Sequence, residues 1–145
     1  MPARNRCAID QDHCLFLVER NCLIVSVHSA LIDTTLSSLG VKIAKRITRC
    51  RPTMAVLELT GLDVIDSFSI QILSRLCKIF RLYGVRIAIS GIQPEVAISM
   101  SLRDFDIEDA YIAIDLTDAL SFLEKQPAPH NTRHALRVSR SSHHP

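Results

Sequence analysis

Apolar and polar positions alternate along the first third of the chain in two short runs, CLFLV at residues 14–18 and CLIVSVH at 22–28. Only Glu19, Arg20 and Asn21 separate them, which predicts an antiparallel β-hairpin. The spacing then changes. In IDTTLSSLGVKIAKRITRC, residues 32–50, Leu36, Leu39, Ile43 and Ile47 recur at steps of three and four, the signature of an amphipathic helix capped by Asp33 or Thr34. Pro52 closes it, and MAVLEL at 54–59 has so little polar interruption that it reads as a central strand covered on both faces.

A second helix follows, with Ile72, Leu73, Leu76, Ile79 and Phe80 inward and Arg75, Lys78 and Arg81 outward, ended by Gly84. VRIAIS at 85–90 is the next strand and Gly91 to Pro94 the turn. EVAISMSL is a short helix whose first turn tolerates Pro94, because a proline there gives up no helical hydrogen bond. AYIAI at 110–114 is the last strand, and Asp115 caps LTDALSFLEK, which carries Leu116, Ala119, Leu120 and Leu123 on one stripe.

Strands joined through helices of about fifteen residues pair in parallel by crossover connections. The expected fold is therefore α/β: one domain with a mixed, mostly parallel β-sheet and about four α-helices. Its expected limits are residues 12–125, between an N-terminal arm at 1–11 and a disordered basic, His-rich tail at 126–145. The tail holds three prolines and four histidines, with little apolar periodicity. His130 and His134 are spaced i, i+4 and His143 and His144 add two imidazoles, but no closed metal-ligand set is spelled out.

Charge and composition narrow the function classes. The net charge of +2 resides in the tail: without Arg133, Arg137 and Arg140, residues 1–125 carry −1, which argues against a nucleic-acid-binding domain. Lys42, Lys45, Arg46 and Arg49 form an outward, solvated face on the first helix, where cations suit the helix dipole. No apolar run reaches the roughly 18–20 residues of a membrane span and no signal-peptide block follows the start, so a cytoplasmic protein without membrane attachment is expected. Four glycines spell neither a dinucleotide fingerprint nor a Walker motif, and no cofactor is expected. Five cysteines (Cys7, Cys14, Cys22, Cys50, Cys77) without a CxxC pair read as reduced, mostly structural thiols.

One stretch stands out. In LDVIDSFSIQIL, residues 62–73, an acid and a hydroxyl, Asp66 and Ser67, sit where a strand gives way to a helix. Ser67 at the N-cap or in the first turn is open to three roles: a plain cap, a site for an added phosphate among the unpaired N–H groups of the helix start, or a nucleophile. The nucleophile is the weakest reading. Ile65 and Ser69 stand where a hydrolase elbow has glycines, and none of the six histidines is placed beside Ser67 by the sequence.

The element order, together with LELTGLDVIDSFSIQIL and VRIAISGIQPEVAISM, resembles a STAS domain, the sulphate-transporter and anti-sigma-factor-antagonist fold. The resemblance covers roughly residues 12–124 and within the family is nearest to the RsbS-type stressosome component. It implies a non-enzymatic protein phosphorylated on Ser67, the serine that follows Asp66. A small glycine usually stands two residues after that serine in general anti-sigma antagonists; here Ser69 follows a bulky Phe68, as in the RsbS-type branch. Ser90, before the SGIQPEVA turn, corresponds to a second modifiable hydroxyl of related paralogues and is a weaker candidate, and Ile32 before a single Asp33 departs from the paired acids common after the second strand.

The resemblance further implies a partner surface of Asp66, Phe68 and Ser69. The partners would be a serine-protein kinase of the RsbT type and STAS-domain paralogues of the RsbR type in a large assembly. A constitutive STAS subunit of a membrane transport or lipid-trafficking complex is the alternative.

Overall fold

The computed structural model describes residues 9–11, 14–27, 33–63, 65–102 and 110–126, with side chains described for 14–27, 38–63, 65–102 and 110–126. The six histidines, Cys7, the cap of the first helix and nearly all of the tail therefore lie outside the described residues.

Among the described residues, six strands form one sheet in chain order: β1 (Ile9–Gln11), β2 (Cys14–Glu19), β3 (Cys22–Val27), β4 (Met54–Glu58), β5 (Arg86–Ser90) and β6 (Ala110–Ala113). β1, β2 and β3 pair antiparallel, and β3 to β6 pair parallel. The described residues hold four helices: α1 (Asp33–Cys50), α2 (Ser67–Leu82), α3 (Pro94–Ser101) and α4 (Leu116–Lys125). The mixed sheet and four helices are as expected, with β1 as an addition: three of the residues counted with the arm form an edge strand against β2.

Local chemistry explains the joints. The β2–β3 hairpin turns through Arg20 and Asn21 with φ of 50° and 63°, the two left-handed residues of a type I′ connection, and Glu19 belongs to the strand. α1 ends as Arg51 takes a φ of 48° while its N–H reaches the Ile47 carbonyl at 2.9 Å. α2 ends at Gly84, φ 74°, where Gly84 N–H bonds the Arg81 carbonyl and Val85 N–H the Phe80 carbonyl, both at 2.9 Å. This is a Schellman closure, and it turns the chain directly into β5.

The sheet is covered unequally. On one face the stripes of α1 (Leu39, Ile43, Ile47), α2 (Leu73, Leu76, Phe80) and α3 (Val96, Met100) close over Phe16, Val25, Leu57 and Ile89 as the main core. On the other face α4, through Ala119 and Leu123, covers Ile24, Val56, Ala88 and Ala113. Met54 to Leu57 are all buried because helices lie on both sides of β4. α4 is fastened at its C-terminal end. Tyr111 stacks on Phe122 with ring centroids 3.6 Å apart, and the Arg86 guanidinium donates to the carbonyls of Leu123 and Gln126, both at 2.8 Å. A cation there also meets the negative end of the helix dipole.

Arg46 corrects the reading of α1. It is 7% exposed, with its guanidinium 5.8 Å from the Phe16 ring centroid, whereas Lys45 and Arg49 face solvent and Lys42 is half-buried. Position 46 lies three residues after Ile43 and borders Ile47, so its aliphatic stem joins the buried stripe and its head lies over an aromatic face.

Candidate functional site

The connection from β4 to α2 is held from inside and from the side. Leu59, Leu62 and Ile65 are buried, and Leu59 N–H bonds the Ser90 carbonyl at 2.9 Å, extending the β4–β5 pairing by one residue. The Gln93 side-chain amide donates to the Thr60 carbonyl at 2.6 Å and to Asp63 Oδ1 at 3.3 Å, tying this loop to the one before α3. A loop pinned this way delivers α2 at a set angle.

Asp66 is the N-cap of that helix. Its backbone is extended (φ −108°, ψ 176°), its Oδ1 accepts from Ser69 N–H at 2.7 Å, and its carbonyl accepts from Ile70 N–H at 3.1 Å. Ser67 is consequently the first helical residue and is exposed, so the capping role open to it on sequence belongs to its neighbour. No acidic residue occupies the first turn, which leaves the positive end of the dipole to Asp66 alone.

Phe68 is 37% exposed beside Ser67, an apolar contact on the surface of the helix start. Ser69, expected among the partner-contacting residues, is 3% exposed and faces inward, so it is not presented to a partner in this conformation. The reason is helical geometry: Ser69 shares the inward side of α2 with buried Ile70, Ile72 and Leu73. Ser90, the weaker candidate for modification, is also buried. It ends β5 at 0% exposure, with Oγ buried and without a hydrogen-bond partner among the described residues.

A cluster not anticipated from the sequence lies at the same end of the sheet. Ser26, Glu58 and Ser90 stand side by side on β3, β4 and β5. Glu58 Oε2 accepts from the Ser26 hydroxyl at 3.3 Å, and Oε1 accepts from Thr60 N–H at 3.1 Å and from the Thr60 hydroxyl. Gly91, φ 72°, passes so close that an added Cβ would run into Glu58 Oε1 and Thr60 Oγ1. Only glycine suits both that backbone and that space.

Cys14 and Cys22 are buried thiols. Burial pushes Cys14 up to about 11, with Lys42 opposing, and pushes Cys22 up to about 12, with Glu124 and Glu19 adding to the effect. Neither presents the accessible thiolate that reactivity requires.

These features define a small α/β module built around a lopsidedly covered sheet, with an exposed serine at the start of its second helix. The family is then direct: residues 16–119 match the STAS domain, and the chain belongs to the STAS domain family. No curated protein matches it in sequence. Its fold is similar to that of Moorella thermoacetica RsbS, solved as a serine-to-glutamate variant, at a TM-score of 0.66 and 22% identity over 75% of this chain and 92% of that one. A chain from the molecular architecture of the stressosome, described as a signal integration and transduction hub, is similar at 0.64 and 23%, covering 75% of this chain and 95% of its own length. The anti-sigma factor antagonist SpoIIAA in its unphosphorylated form is similar at 0.60 and 12%, over 78% and 99%. At these identities the likeness is one of fold.

Proposed function

We propose that this chain is a non-enzymatic, RsbS-like component of a cytoplasmic assembly. It docks a serine-protein kinase of the RsbT type through the start of α2 and releases it once Ser67 is phosphorylated. The observation that carries this reading is the division of labour between neighbours: Asp66 caps the helix and Ser67 is exposed beside it, so Ser67 can be modified without dismantling the helix start. The likeness in fold to RsbS, to a stressosome chain and to SpoIIAA supports the same class.

The chemistry is a phosphoryl transfer from ATP held by the kinase. The Ser67 Oγ–P bond forms as the bond between the γ-phosphorus and the β,γ-bridging oxygen breaks; ADP leaves, and the serine proton passes to the kinase or to solvent. The product adds roughly −1.5 to −2 charges and three acceptor oxygens beside the Asp66 carboxylate. At a docked interface that charge must be desolvated and repels partner carboxylates. A loss of about 1.4 kcal/mol lowers affinity tenfold, so one phosphate suffices to release a partner.

Phe68 supplies the apolar contact next to the switch and Asp66 a fixed charge. RsbR-type STAS paralogues are the expected co-assembling partners. Ser90 does not take part as a phosphoacceptor in this reading, because its hydroxyl is buried.

The test is kinase binding and release by variants of the full chain. Ser67→Ala should bind an RsbT-type kinase and retain it after ATP is added, while Ser67→Asp should bind poorly. Release of the kinase from Ser67→Ala on the wild-type time course would refute the proposal. Indifference to both substitutions, with a membrane-complex subunit captured instead, would favour the constitutive transport or trafficking subunit.

A further inference from the structure

The unequal covering of the sheet leaves a cavity. α4 packs over β4, β5 and β6, and beside it, at the carboxyl end of β3 and β4, a hollow of about 370 Å³ remains. Its size is at the lower end of small-molecule sites. Leu17 and Ile24 form an apolar floor and Ile114, 87% exposed, stands at the rim. Leu17 is only half-buried although Ile24, its partner on β3, is a core residue.

The polar side chains of the hollow are all carboxylates or hydroxyls. Ser26, Glu58, Thr60 and Asp115 contribute to its lining, and no lysine, arginine or histidine does among the described residues. Among the described residues, an anion entering here would meet two carboxylate side chains and no cationic one. A cation would be attracted by both. Glu58 still has acceptor capacity: a carboxylate has about four lone-pair directions, and the contacts from Ser26 and Thr60 use three. Asp115 Oδ1 accepts from Asp118 N–H at 2.8 Å, which turns that carboxylate across the α4 start at the edge of the hollow.

A second, independent observation lies one strand away. Ser90 is in register with Glu58 and, by strand alternation with Ala88, is on the same face of the sheet; it directly precedes Gly91, which lines the hollow. Its hydroxyl is fully buried and unpartnered among the described residues. Native interiors rarely leave such a group unpaired, and a bound polar group or an ordered water beside Glu58 would satisfy it.

The geometry points to a binding site for a small organic cation with an apolar body, an arylalkyl- or alkylammonium, whose charged end sits against Glu58 and whose body lies on Leu17, Ile24 and Ile114. Binding here does not require Ser67 to be modified. Nor does it depend on the kinase-docking reading.

The experiment is an amide-resolved NMR titration of the full chain with two probes of one shape and opposite charge, phenethylammonium and 3-phenylpropionate. Phenethylammonium should give saturable shifts at Ser26, Thr60, Gly91 and Ile114, and 3-phenylpropionate should bind at least about tenfold more weakly. Glu58→Gln should abolish that preference. Ile114→Lys, made at an exposed position where the fold is not at stake, should weaken the ammonium and strengthen the carboxylate. Equal binding of the two probes, shifts confined to other parts of the domain, no saturable shift, or an Ile114→Lys variant that binds both probes as the wild type does would each overturn the proposal.

Discussion

Replacing Asp66 by alanine separates the structural role of the helix start from its signalling role. The substitution removes the acceptor that holds Ser69 N–H at 2.7 Å, a short and charge-assisted bond. Loss of an N-cap of this kind costs about 1 kcal/mol, within a range of about 0.5–2. The first turn contains no other acid, so the favourable charge–dipole interaction, about 0.3–1 kcal/mol, is lost as well. Together these give about 1–2 kcal/mol. Asp66→Asn, which keeps an acceptor and loses the charge, should cost only the smaller part.

Ser67→Ala, at the next position, should change stability by less than about 0.5 kcal/mol, as an exposed site without the cap does. Urea denaturation of the three variants reads the difference directly. With a slope of about 2 kcal/mol per molar urea, Asp66→Ala should unfold at a midpoint lower by about 0.5–1 M while Ser67→Ala stays close to the wild type. The opposite order, a stable Asp66→Ala and a Ser67→Ala weakened by more than about 1 kcal/mol, would make Ser67 the working cap. The structural basis for its modification would then be lost.

Gly91→Ala should destabilise the domain by more than about 1–2 kcal/mol, the penalty for a side chain in the left-handed region, because its Cβ also meets Glu58 and Thr60; the thermal midpoint is the readout, and an unchanged one would contradict the turn geometry. Ser90→Ala should leave the urea midpoint unchanged or raise it, since the hydroxyl it removes is buried and unpaired among the described residues. Cys14 and Cys22 should alkylate at pH 8 at least about a hundredfold more slowly in the folded protein than in denaturant, because little thiolate forms when the pKa is raised. Their raised values also predict a pH dependence: folding is favoured while both remain protonated, and stability declines as pH rises from the ordinary thiol value of 9.0 through about 11 and 12. Urea midpoints measured from pH 8 to 11 check the sign.

Much of the architecture was legible along the chain because it rests on local periodicity. The stripes of α2 and α4, the uninterrupted apolar run of β4 and the glycine closing α2 all carry their signal within a few residues. β1 escaped notice since three residues, Ile9–Gln11, hold too little alternation to register as a strand; its partner across the sheet makes it one. Arg46 was misplaced for a related reason, its charge being visible in the sequence and the Phe16 ring beneath it not.

The site was legible in its residues and not in their roles. Asp and Ser rank alike as caps, and it is the direction of Ser69 N–H that gives the role to Asp66 rather than to Ser67. Ser69 and Ser90 look like surface hydroxyls in sequence, whereas helix phase buries one and the Gly91 turn and neighbouring strands bury the other. The row of Ser26, Glu58 and Ser90 depends on register across three strands, which no local pattern encodes.

The measurement that tests the central claim most directly is to incubate the full chain with an active RsbT-type kinase and ATP and locate the phosphate by mass spectrometry. A single phosphate on Ser67, absent from Ser67→Ala, is the predicted result. No phosphate from a kinase that modifies another substrate in the same mixture, or a phosphate on any residue other than Ser67, would contradict the account and leave the start of α2 as a constitutive docking surface.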